Sequence, residues 1–138
     1  MKLKNSAFLL LMLLAVVMAG CITAEQNQQK TVRISPEEAY RLIQENRGNP
    51  DLIVVDIRTP QEYRTGHIEN AVNINFYDPD FKQKLNELDK DKTYLVYCRT
   101  GQRSGLAMPV FRELGFREVY EIDGGIVAWI DAGYRIVS

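Results

Sequence analysis

The sequence predicts an α/β domain with a mainly parallel central sheet flanked by helices on both faces. Three observations carry this expectation. Leu52-Ile53-Val54-Val55 is a continuous apolar run, β-branched in three of its four positions, which suits a strand buried on both faces of a parallel sheet. Ser35-Pro36-Glu37-Glu38 and Thr59-Pro60-Gln61-Glu62 each supply an N-cap, a proline at the first helical position and a capping-box glutamate, so two helices start with the same chemistry. Apolar runs and helical patterns alternate along the chain, which is the order of β-α-β units.

Taken in order, Thr31-Val32-Arg33-Ile34 alternates like a short strand, and a helix begins at Pro36 with Ala39, Leu42 and Ile43 on one face. Gly48-Asn49-Pro50 stops it. The strand from Leu52 ends at Asp56-Ile57-Arg58, polar residues placed where open α/β sheets hold their ligands. A short helix through Tyr63 is broken by Gly66, and Ala71-Val72-Asn73-Ile74-Asn75 reads as another short strand. Asp78-Pro79 opens a helix through Phe81, Leu85 and Leu88, with the surrounding lysines and acids as a solvated face. Thr93 to Tyr97 is the central strand, followed by a helix carrying Leu106, Val110, Phe111 and Leu114 up to Gly115. Pro109 either costs that helix one backbone bond or kinks it. Glu118 to Ile122 alternates as the last strand, and Asp123-Gly124-Gly125 turns the chain into a short helix, Ile126 to Ile130, that ends at Gly133.

The 138 residues hold one domain, and 46% hydrophobic with 25% charged residues is ordinary for a single soluble core. Residues 1–20 stand apart. Lys2 and Lys4 precede an apolar segment, Ala7 to Gly20, that is shorter than the ~20 residues a spanning helix needs and ends in small residues, the pattern of a signal peptide. Val17-Met18-Ala19-Gly20-Cys21 resembles a lipoprotein lipobox, which implies lipid on Cys21 and an extracytoplasmic, membrane-anchored protein; the alternative is an ordinary secretory signal and a secreted soluble domain. Residues 21–30 read as a flexible tether and 31–138 as the domain.

Cys98 is then the single cysteine of the exported domain, so no internal disulfide forms and the unpaired thiol marks reactivity. Without Lys2 and Lys4, fifteen basic residues face eighteen acidic ones with no basic run, which gives nucleic acid no footprint. One histidine and one available cysteine are too few for a zinc or iron–sulfur site.

Cys98-Arg99-Thr100-Gly101-Gln102-Arg103-Ser104 joins the central strand to a helix start. Successive loop N–H groups and the helix dipole converge there on one anion, Gly101 permits an unusual backbone, and Arg99 and Arg103 bracket the sulfur. Lowering a thiol pKa by about two units takes roughly 2.7 kcal/mol, and an exposed helix dipole supplies only about 0.3 to 1 kcal/mol. The loop N–H groups and Arg103 are therefore expected to contribute most.

Three blocks together resemble a single rhodanese domain: Val55-Asp56-Ile57-Arg58-Thr59-Pro60-Gln61-Glu62-Tyr63 with Gly66-His67-Ile68, the Cys98 to Ser104 loop, and Asp123-Gly124-Gly125-Ile126-Val127-Ala128-Trp129. The resemblance implies a rhodanese-like α/β fold and a sulfurtransferase in which Cys98 carries a sulfane sulfur as a persulfide. It implies a small anionic donor such as thiosulfate, an acceptor that is a thiol, cyanide or a protein thiol, and no metal or organic cofactor. Arg99, Thr100, Gly101, Gln102, Arg103 and Ser104 form the expected substrate-binding loop. Arg103 is expected to hold the donor's oxygens, to pair with Asp56, or both. Asp56 and Arg58 are supporting residues, Arg58 a structural one. Arg99 is either a rim charge or a solvated residue. His67 is expected to be hydrogen-bonded and structural, since a thiolate needs no base, and Trp129 to pack in the core.

Two other functions compete. A cysteine-dependent phosphatase or arsenate reductase also starts an anion-cradling loop with a thiolate, but its familiar loop places five residues between cysteine and arginine, and here four separate Cys98 from Arg103. The second is a non-catalytic module that binds a partner or stores sulfur on Cys98 without turnover, since the same loop would serve a carrier.

Overall fold

The computed structural model describes residues 28–138, so residues 1–20 and Cys21 lie outside the described residues. Five strands, β1 (Lys30–Ile34), β2 (Leu52–Asp56), β3 (Val72–Asn73), β4 (Thr93–Tyr97) and β5 (Glu118–Ile122), form one sheet in the order β1-β5-β4-β2-β3. Every pairing in it is parallel. The helices are α1 (Pro36–Glu45), α2 (Pro60–Thr65), α3 (Phe81–Asn86), α4 (Gln102–Glu113) and α5 (Gly125–Asp131). The α/β class and the helices on both faces are as the sequence predicts.

Both capping boxes form. The Ser35 and Thr59 hydroxyls accept the N–H groups of Glu38 and Glu62, whose carboxylates accept the cap N–H groups in return. These ends fix where the chain leaves β1 and β2. The central strands β2 and β4 align Leu52 with Thr93 and Asp56 with Tyr97, so their carboxyl ends finish level and side by side. From β2 the chain moves outward to β3, and from β4 it moves the other way to β5. The crevice between the two exits is the place where open parallel sheets bind ligands.

Two apolar layers sandwich the sheet. Tyr94, Val96, Phe111, Phe116 and Val119 lie in one, with Phe81 and Leu85 of α3, and the rings of Tyr94, Phe111 and Phe116 meet edge to face or tilted. Leu95, Tyr97, Ile122, Ile126 and Trp129 lie in the other, with Ala39 of α1. Trp129 is in the core as expected, its indole N–H donating to the Arg135 carbonyl.

Several local expectations change. β1 begins at Lys30, one residue before Thr31, and the Gln29 amide donates to the Arg112 and Phe116 carbonyls. β3 is cut to Val72–Asn73; past it the Ile74 and Phe76 N–H groups still bond the Asp56 and Ile57 carbonyls, and the Asn73 side-chain amide donates to the Asp56 and Arg58 carbonyls at the sheet's edge. α3 starts at Phe81, after an Asn75-to-Asp78 turn closed by side-chain bonds. Leu106 is 68% exposed, and Ala107, Met108 and Phe111 form the inward stripe of α4 instead. Pro109 stays inside α4 with its ring exposed, so the missing N–H costs one bond without ending the helix.

Phe111 is fully buried at the junction of Tyr94 and Phe116. Phe111→Ala is expected to lower the free energy of unfolding in urea by about 3 to 5 kcal/mol.

Candidate active site

Cys98 follows β4 directly and is 1% exposed. Its Sγ accepts the Gly101 N–H at 3.1 Å and the Ser104 N–H at 3.4 Å, and it lies 3.4 Å from the Ser104 Oγ. The loop curls back because Gly101 takes φ +95°, a left-handed conformation that a side chain would strain. That residue caps α4, and its carbonyl accepts the Gly105 N–H.

The carbonyls of the same loop point the opposite way. Cys98 O accepts the Ile126 N–H at 2.9 Å and Arg99 O accepts the Val127 N–H at 3.1 Å, so the first turn of α5 grips the loop from behind. Gly125 makes this approach possible: a Cβ there would lie 2.5 Å from Cys98 O and 2.6 Å from the Arg99 carbonyl. With carbonyls turned to α5, the loop N–H groups face the sulfur.

The electrostatics of Cys98 follow from this geometry. Burial pushes the thiol up. The Ser104 hydroxyl, when its hydrogen turns to the sulfur, and the N–H groups of Ser104, Gly101 and Thr100 pull it down, and the net direction is below the ordinary thiol value.

The structure corrects the expected pairing of Arg103 with Asp56. Arg103 instead grips Glu62 of α2 through two bonds, Nη1 to Oε2 at 2.8 Å and Nη2 to Oε1 at 2.7 Å. Asp56 is fully buried and pairs with Arg58, whose Nη2 also donates to the Gly66 carbonyl. The reason is distance along the fold: Arg58 sits two residues from Asp56 on the same exit, whereas α2 carries Glu62 across the crevice to α4. Arg103 retains its Nε–H and one N–H on each terminal nitrogen beyond the Glu62 pair. It stacks 5.5 Å from the Tyr77 ring.

Other residues divide plainly. Arg99, Thr100 and Gln102 are exposed, while Ser104 is fully buried beneath the sulfur. His67 stacks on Tyr63, its Nδ1 is 2.9 Å from the Tyr63 carbonyl, and its backbone bridges Val137. Among the described residues the groups that act on Cys98 Sγ by hydrogen bonding belong to Thr100, Gly101 and Ser104, and His67 is not one of them. No cluster able to hold a metal ion occurs among the described residues. A groove of about 900 Å³, lined by Tyr40, Val54, Trp129 and Tyr134 on the other layer, includes no residue of the Cys98 loop.

Residues 35–132 match the rhodanese-like domain family, which is 98 of 138 positions. The chain belongs to that family. Among solved structures, a rhodanese-related protein from Thermoplasma volcanium is 31% identical, covering 80% of this chain and 98% of that one, with a TM-score of 0.63. The polysulfide-sulfur transferase homodimer from Wolinella succinogenes is 30% identical, covering 89% of this chain and 88% of that one, also at 0.63. A tRNA uridine(34) hydroxylase from Chlamydia trachomatis is 39% identical over 120 residues, which is 83% of this chain. This rhodanese chain spans 35% of the length of that relative.

Glu62 was legible in the sequence only as a capping residue, and its second partner is the new finding. The Arg103 pair, with the two Thr59 contacts, outweighs burial and lowers the Glu62 carboxyl to about 2. A folded-state pKa depressed below the unfolded value of about 4.3 stabilises the fold above that pH and loses this contribution as pH falls through the folded value. Stability in urea is therefore expected to drop between about pH 4.3 and 2, and Glu62→Gln should flatten the curve in that window.

Proposed function

We propose that this rhodanese domain is a sulfurtransferase that moves a sulfane sulfur through Cys98. The observation that carries the reading is the convergence of loop N–H groups on a buried sulfur at the exit of the central strand. In the forward half-reaction the Cys98 thiolate attacks the outer sulfur of thiosulfate. The Sγ–S bond forms, the S–S bond of the donor breaks, and its electron pair leaves with sulfite. A nucleophilic acceptor then attacks the outer sulfur of the persulfide, and the Cys98 thiolate departs with the S–S bonding pair. Protons enter neither bond change when donor and thiolate are both anionic. Thiols, cyanide and protein thiols are all competent acceptors by this chemistry.

The loop supplies the roles. Gly101 and Ser104 hold the thiolate and the persulfide's inner sulfur. Arg103, with its remaining N–H groups, and the exposed Arg99, Thr100 and Gln102 form the mouth that meets the donor's oxygens. Asp56 and Arg58 hold the neighbouring exit in place. A phosphoryl group is a poorer fit, because four residues separate Cys98 from Arg103 and Glu62 already takes two of that guanidinium's donors. Intact mass after thiosulfate is expected to rise by one sulfur atom and return after cyanide. Cys98→Ser should abolish both changes and thiocyanate formation; a serine variant with wild-type turnover contradicts the assignment.

We also propose that the domain works outside the cytoplasm, held to a membrane by lipid on Cys21. The support is the charged-apolar-small order of residues 1–20 and the cysteine that follows it. Cys21→Ser is expected to move the protein from the membrane fraction to the soluble one; unchanged sedimentation with the membrane contradicts lipid anchoring.

A further inference from the structure

Ser104 lies between two acceptors, and its hydroxyl has one hydrogen. On one side is Cys98 Sγ at 3.4 Å, and on the other is Glu121 Oε1 at 2.8 Å. Glu121 is 3% exposed and lies on the face of β5 that α4 covers. The parallel register of β1 and β5 sets Arg33 directly beside it, and the guanidinium binds both carboxylate oxygens, Nε to Oε2 at 3.1 Å and Nη2 to Oε1 at 3.3 Å. Gly105 leaves room for this approach, since a Cβ there would sit 3.2 Å from Arg33 Nη2. A buried carboxylate thus stands one hydroxyl away from the thiol.

Because a paired carboxylate only accepts, the shorter contact commits the Ser104 hydrogen to Glu121. The contact with Cys98 then needs a hydrogen on sulfur, which favours the thiol over the thiolate. Losing that proton makes the sulfur a competitor for the same hydroxyl hydrogen. We propose that Glu121 is a positioning residue for Cys98, holding the Ser104 hydroxyl off the sulfur, with Arg33 neutralising the carboxylate so that the hold is limited.

The consequence is a restrained thiolate. Loop N–H groups stabilise the anion, and Glu121 opposes them. A thiolate that is stabilised too far loses nucleophilicity, while its departure from a persulfide becomes easier. Glu121 therefore sets the balance between loading sulfur and releasing it. The other charges around this network are Arg112 on α4, which lines a small pocket with Arg33 and Glu121, Arg103 on α4, paired to Glu62, Asp123 beyond β5, 4.0 Å from Arg33, and the exposed Arg99 in the loop.

The inference rests on Cys98 reacting as a thiolate, and its test needs no sulfur donor. The rate of Cys98 alkylation by iodoacetamide against pH, followed on the Cys98 peptide, gives the midpoint of thiolate formation. Glu121→Gln is expected to move this midpoint down by about half a unit, roughly a threefold gain in thiolate at a pH below both midpoints. In a Ser104→Ala background the same substitution should produce less than half that shift. Ser104→Ala alone keeps the backbone N–H and should leave the midpoint within about 0.3 unit, because the hydroxyl is not spent on the sulfur. A midpoint unmoved by Glu121→Gln, an equal shift without the Ser104 hydroxyl, or a rise of about one unit in Ser104→Ala overturns the proposal. The last result decides it even where Glu121→Gln does not fold. Loss of sulfur transfer with these shifts intact would count against the function and leave Glu121 in its role.

Discussion

The site depends on how two peptide carbonyls are held. Cys98 O and Arg99 O accept N–H groups from the first turn of α5, and this turns the loop so that its own N–H groups face the sulfur. A loop with free carbonyls would have no reason to keep that orientation. The requirement reaches back to the sequence at Gly125, because a side chain there would meet the two carbonyls at 2.5 to 2.6 Å. It also explains why β4 and β5 must be neighbours: the helix that follows β5 has to start beside the loop that follows β4. The parallel sheet is thus the device that brings two helix starts, those of α4 and α5, to the same sulfur-bearing turn.

Given that scaffold, the charge balance at Cys98 is local. Burial alone raises a thiol pKa, and each N–H contact works against it. Arg103 supplies a nearby positive charge, but its strongest bonds go to Glu62, so its field at the sulfur is partly cancelled. Asp56 and Arg58 compensate each other in the same way under the neighbouring loop. What remains is the Ser104 hydroxyl, as far as Glu121 lets it turn to the sulfur, and the backbone dipoles of the loop. These dipoles are fixed by the fold, whereas a free arginine would be screened by water and salt.

Much of this was readable in the sequence, and the unread part has a common cause. The capping boxes at Ser35 and Thr59, the buried run of β2 and the strand-loop-helix junction at Cys98 are all local patterns, and each formed. Tertiary pairing is different. Asp56 and Glu62 are both acids near the same strand exit, and nothing in their spacing says which one meets Arg103. Glu121 looked like one member of an alternating strand, because its partner Arg33 lies 88 residues away and is set beside it only by strand register. Leu106 misled for a related reason: helical spacing names a face, but the inward face of α4 is chosen by the sheet, which takes Ala107 and Phe111 and leaves Leu106 in water.

The central claim is that loop geometry makes Cys98 an acid stronger than an ordinary thiol despite its burial. Titration of the thiolate by its ultraviolet absorbance, native protein against Cys98→Ser, measures this without any substrate. A midpoint below the ordinary thiol value of about 8.5 is the result the geometry predicts. A midpoint at or above that value would mean that burial wins over the N–H groups, and would contradict the account at its base.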